Sequence, residues 1–202
     1  MGSQTQTGLL LILGSIVSII GWMVFYPASP SDSIAEQAAK LLADPDMAQV
    51  GILMGFGGMI ALFMGLINIG RSMSTGGGKG GSYAGVATIL LMALIAVMLI
   101  GTGLELGTTE ATSPAGAATL MGVANAIYSG FEIAFGLAMI SLGIGIVLDK
   151  NFNIIIAALA IISGATFGLS GFVDVDPMSM IGWMGFNLTA IVMGGLTLKS
   201  KS

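Results

Sequence analysis

The chain has 202 residues, of which 55% are hydrophobic and only 8% charged, with a net charge of −4, whereas soluble domains carry roughly a quarter charged residues. Water is therefore the wrong solvent for most of it, and with no Cys and no His it lacks disulfides, thiolate and imidazole metal sites and the commonest general base. The few Lys and Arg form no basic patch with interleaved aromatics, so nucleic acid is not an expected partner, and no cofactor is expected.

A hydrocarbon core of about 30 Å needs about 20 helical residues to cross it, and lipid offers no partner for an open strand's backbone. The expected fold is therefore all-α and integral to the membrane: one domain, a bundle of six transmembrane helices at about 8–25, 48–69, 85–104, 127–148, 152–172 and 178–198. The first span ends on Trp22, Phe25 and Tyr26, which suit the aromatic belt at a membrane interface. A cleaved signal peptide over 1–28 would need a positively charged start, and none is present.

Between the first two spans, residues 33–44 predict a short amphipathic helix. Ser33 and Glu36 make a capping box, Ile34, Ala38, Leu41 and Leu42 share a face, and Pro45 ends it. Such a helix lies on the membrane surface or caps the bundle. After the second span comes the glycine-rich stretch 74–82. It invites comparison with a phosphate-binding loop, but Met73 occupies the required first glycine position, Gly80 follows Lys79 where Ser or Thr is needed, and no strand precedes it. A flexible linker is the expectation. Past the third span, residues 108–126 are weakly apolar and Ser113 with Pro114 resembles a helix start. Either the fourth helix is tilted and protrudes, or it breaks near 122–130.

Orientation follows from the positive residues, which stay on the cytoplasmic side. Arg71, Lys79, Lys150, Lys199 and Lys201 fall in one set of gaps; Asp32, Glu36, Asp44, Asp46, Glu105, Glu110, Asp174 and Asp176, with the single Lys40, fall in the other. Both termini are then cytoplasmic, in a multi-pass protein expected in a prokaryotic cell membrane.

An internal repeat is also legible. A shift of 130 residues superposes Asp44, Asp46, Gly55-Phe56 and Arg71 on Asp174, Asp176, Gly185-Phe186 and Lys201, and a shift of 75 brings Gly130-Phe131 to the same level. Three repeated helical hairpins are the simplest model, with Gly57, Glu132 and Asn187 at one depth.

Glu132 is the only ionisable side chain this reading places well inside a span, where a charge costs several kcal/mol unless paired or hydrated. Glu132, Asn187, Tyr128 and Asn125 form the candidate intramembrane polar cluster, which Thr166 and Ser170 of the fifth span are placed to join. A structural interhelical hydrogen bond is the plainer role for Glu132, worth about 1 kcal/mol; proton or cation handling is the functional one. Gly51 with Gly55, Gly164 with Gly168, Gly185, and the small pairs Gly14 with Ser18 and Ala134 with Ala138 predict close helix packing. The fifteen Met residues are scattered without a short-spaced metal motif. The sequon at Asn187-Leu188-Thr189 lies inside the sixth span.

No nucleophile with a base can be assembled, so catalysis is not expected. Function then divides between a non-catalytic accessory or structural subunit of a membrane complex, or a self-associating bundle, and a small-solute, proton or ion transporter or channel using the intramembrane carboxylate. The implied partners are the lipid bilayer, and other membrane subunits or further copies of the chain.

Overall fold

The computed structural model describes residues 3–173 and 178–199. Regular structure among the described residues is helical: α1 Gln4–Ile20, continued by a π-helical turn Gly21–Phe25, then α2 Ile34–Ala43, α3 Pro45–Thr75, α4 Gly81–Thr109, α5 Pro114–Asp149, α6 Ile154–Ser170 and α7 Met178–Lys199. Five helices are long and apolar enough to cross a membrane; α6, with 17 residues, is the shorter apolar one. At about 1.5 Å per residue it reaches only about 25 Å, the low end of what a bilayer core requires. Large apolar side chains stand on the outer faces, among them Leu53, Ile89, Leu99, Ile154 and Ile162, each more than half exposed. That surface is suited to lipid contact, and the chain is a membrane protein.

Local chemistry sets the helix boundaries. Ser33 Oγ accepts from the Glu36 amide while Glu36 Oε2 accepts from the Ser33 amide at 2.8 Å, completing the capping box. Asp44 caps α3 with Pro45 in the first turn, and Ser113 does the same for α5 ahead of Pro114. The α5 helix runs unbroken through 122–130 for 36 residues, so of the two expectations for 108–126 the break near 122–130 is not observed. It stops at Lys150, whose φ of 55° is left-handed.

The five long helices and α6 close into a ring in the order α1, α3, α4, α5, α6, α7 and back to α1. Neighbours run antiparallel: the α1–α3 crossing brings Gly21 against Gly55, Gly14 against Leu62 and Leu11 against Gly65, and short connections impose the same sense on the rest. Arg71, Lys79, Lys150 and Lys199 gather at one end of the ring, and Asp32, Glu36, Asp44, Asp46 and Glu110 at the other. These are the basic end and the acidic end. Asp174, Asp176 and Lys201, used above for orientation and repeat, lie outside the described residues.

α2 covers the acidic end. It buries Gln37, Ala38 and Leu41 against α5, α4 and α3, so it caps the bundle. At the basic end the glycine-rich stretch is tied down: the Gly80 amide donates to Asp149 Oδ1 at 2.6 Å, placing a carboxylate at the N-terminus of α4. The linker is therefore anchored at one point, where a freely flexible segment was expected.

Phenylalanines fill the axis. Phe135 of α5 lies 5.0 Å from Phe63 of α3, 4.6 Å from Phe186 of α7 and 5.7 Å from Phe167 of α6, ring centre to ring centre, and Phe131 stacks on Phe63 at 6.1 Å. α3, α5 and α7 are alternate members of the ring, so these contacts cross its centre and close it as a plug. The closest ring neighbour of Phe186 is Phe135.

Candidate functional site

Above the plug, toward the acidic end, is a cavity of about 600 Å³. Its floor includes Phe131 and Phe167, and its rim includes Ala28, Ser29, Pro30, Val173, Ser179 and Met180. Trp22 and Trp183 both line it. Trp22 was expected as an interfacial anchor, as was Trp183 near the outer end of the last span, but Trp22 packs edge-on against Tyr26 at 4.6 Å and Phe56 at 5.0 Å. The reason is a close approach of α1 to α3: a methyl on Gly55 would come within 2.6 Å of the Trp22 ring, and one on Gly51 within 2.7 Å of the Tyr26 backbone nitrogen. The π-helical turn supplies the extra residue that rotates Trp22 and Tyr26 inward.

Among the described residues, two carboxyls face this cavity. Glu105 is only 1% exposed. Its Oε1 accepts from the Tyr128 hydroxyl at 2.6 Å, while Oε2 is buried with no hydrogen-bond partner. Tyr26 stands beside the same carboxyl without completing a bond of good geometry. Burial first, and then the neighbouring Glu105, hold the Tyr26 phenol above its ordinary value. Glu132 is half-buried, and its Oε2 lies 3.0 Å from Ser170 Oγ. That hydroxyl also reaches the Phe167 carbonyl at 2.6 Å, and one hydrogen cannot serve both. Each acid is thus under-satisfied inside the protein.

Of the expected polar cluster, Asn125, Tyr128 and Glu132 project from α5 into the cavity, spaced by three and four residues on one helix face. Asn125 Nδ2 donates to Gln37 Oε1 of α2 at 3.3 Å, linking the cap to the wall. Asn187 does not join them: it is fully buried, donates to the Trp183 carbonyl at 2.9 Å, and keeps Oδ1 without a partner. Ser170 joins the wall, whereas Thr166 turns away and donates to the Ile162 carbonyl.

The remaining packing glycines sit at the α5–α6–α7 crossings. A methyl on Gly164 would meet Met139 Cβ at 2.7 Å, one on Gly168 would meet Gly136 Cα at 3.3 Å, and one on Gly185 would meet Ser163 Cβ at 3.0 Å. The first two contacts bring α6 close enough to α5 for Ser170 to reach Glu132.

Glu105, Tyr26, Gln37 and Ser170 carry the site alongside the predicted residues. Glu105 was assigned to a gap between spans, but α4 extends to Thr109 because nothing between 104 and 109 breaks a helix, and the extension carries its side chain inside the ring. Among the described residues no three carboxylates gather where a metal ion could sit. Compared with known protein families, with characterised proteins and with solved structures, the chain matches none.

Proposed function

We propose that this chain is a six-span membrane protein with both termini in the cytoplasm, which binds a small solute in an outward-facing chamber and hands it inward by opening the phenylalanine plug. The observation that carries this reading is the Glu105 carboxylate oxygen, buried in a cavity with no partner. A desolvated carboxylate left unpaired is costly, and membrane proteins place such groups on solute or proton paths. The position of the positive residues supports the orientation, and α6, flanked by connections to α5 and α7 that return to opposite ends, supports counting it as a span. Three successive antiparallel hairpins fit descent from one repeated hairpin.

The test is transport in liposomes containing the purified chain, with Glu132→Gln beside the unmodified protein. Glu132→Gln keeps its neighbour Ser170 and is expected to fold. Solute- or proton-flux that falls with this substitution supports the reading; flux that is unchanged removes Glu132 from it.

A second reading, a subunit of a membrane complex or a self-associating bundle, is favoured by Gly57, Gly103, Gly130 and Gly195. Each is exposed with nothing within 4 Å of an added methyl, which leaves room for another helix to approach. Purification in mild detergent separates the two: a stoichiometric companion or stable oligomer favours assembly, and a lone monodisperse chain favours solute binding.

A further inference from the structure

The walls of the chamber carry one kind of charge and one kind of apolar surface. Among the described residues, both charged side chains lining it, Glu105 and Glu132, are acids, and none is Lys or Arg. Lys40, the one basic residue at the acidic end among the described residues, is bound to Asp32 at 2.7 Å. Around the carboxyls stand Trp22, Tyr26, Phe56, Tyr128, Phe131 and Trp183, whose ring faces are electronegative.

We propose that the chamber recognises small organic monocations of the alkylammonium or trimethylammonium class, an inference that rests on the solute-binding reading above. The charge complement is the pair of acids in the chamber wall: half-buried Glu132 at the surface, and behind it Glu105, one of whose oxygens has no protein partner. The aromatic walls supply cation–π attraction to a weakly hydrated ammonium, worth about 2 kcal/mol when desolvated. A hard metal ion fits poorly: calcium and magnesium take six or more oxygen ligands, and no three carboxylates converge among the described residues. An anion would meet two acids and no cation. The volume of about 600 Å³ lies in the range that holds a small organic molecule.

The chain carries its own reporter, because its only two tryptophans, Trp22 and Trp183, both line the chamber. Tryptophan fluorescence of the full chain in mild detergent is titrated with tetramethylammonium, choline and benzyltrimethylammonium. Each is compared with its neutral carbon isostere, such as 3,3-dimethylbutanol for choline, and with anionic and neutral solutes of similar size. At least one of the cations is expected to bind about tenfold or more tightly than its isostere. Glu105→Gln is expected to abolish that preference, and Glu110→Gln, on an exposed residue outside the chamber, to preserve it. Isosteres that bind as well as the cations, or neutral or anionic solutes that bind when the cations do not, overturn the cation proposal and leave the solute chamber standing. A panel in which nothing binds overturns both. The comparison of cation with isostere uses only the unmodified chain, so it decides the matter even if Glu105→Gln fails to fold.

Discussion

Gly57 and Gly58 are adjacent on α3 and face opposite environments, which makes them a matched test of the ring. An added methyl at Gly57 meets nothing within 4 Å, whereas one at Gly58 would lie 2.6 Å from the Gly14 carbonyl oxygen and 2.8 Å from Ser18 Cα, both backbone atoms of α1. Backbone cannot swing away as a side chain can, so α1 and α3 must part by about 1 Å to restore ordinary contact in a close-packed interior. Overpacking of this kind costs about 1–3 kcal/mol. Replacing Gly by Ala also favours the helix by about 1 kcal/mol, but that gain is common to both positions and cancels between them. Gly57→Ala is expected to be neutral or more stable than the unmodified chain, and Gly58→Ala to be less stable than Gly57→Ala by about 1–3 kcal/mol. Unfolding in mixed micelles of dodecyl maltoside and SDS, followed by helical circular dichroism, measures the difference. Equal midpoints for the two variants would refute the α1–α3 crossing, and with it the inward turn of Trp22 and Tyr26.

Phe135→Ala removes the ring that touches Phe63, Phe131, Phe167 and Phe186; a loss of about 3–5 kcal/mol is expected in the same unfolding titration, and a loss under 1 kcal/mol would mean that the axis is not packed through this residue. Tyr128→Phe deletes the donor to Glu105 Oε1 and is expected to cost about 1–3 kcal/mol by leaving the whole carboxyl without a partner, while an unchanged midpoint would show that the bond does not form. At the acidic end, the hydrogen bond from Lys40 holds Asp32 below its ordinary value of 3.8, and the bonds from Ser33 hold Glu36 below 4.5. Both contributions to α2 are therefore complete above the ordinary carboxylate range and are lost as pH falls through the lowered values; amide chemical shifts of Ser33 to Gln37 are expected to stay constant from neutral pH down to about 4 and to move toward coil positions only below it. A transition centred near pH 6 would contradict the assignment.

What could be read from the chain alone was whatever depends on composition and on neighbours a few residues away. Helices of membrane length, the capping box at Ser33 and Glu36, the start at Ser113 and Pro114, and the separation of acidic from basic gaps are all local, and the structure carries each of them. The placement of Asn125, Tyr128 and Glu132 on one cavity wall followed from helical spacing within a single element.

Tertiary structure alone decided which faces turn inward. Glu105 was read as a gap residue and Trp22 and Trp183 as interfacial anchors, and all three line the chamber, while Asn187, read as part of the cluster, is buried apart from it. In a soluble helix an apolar stripe announces the buried side. Here lipid and protein interior are equally apolar, so hydrophobicity does not distinguish them, and the rotation of each helix is set by contacts such as Gly55 beneath the Trp22 ring and Gly136 beside Gly164. Those contacts join residues far apart in sequence, and they come into being only when the ring closes.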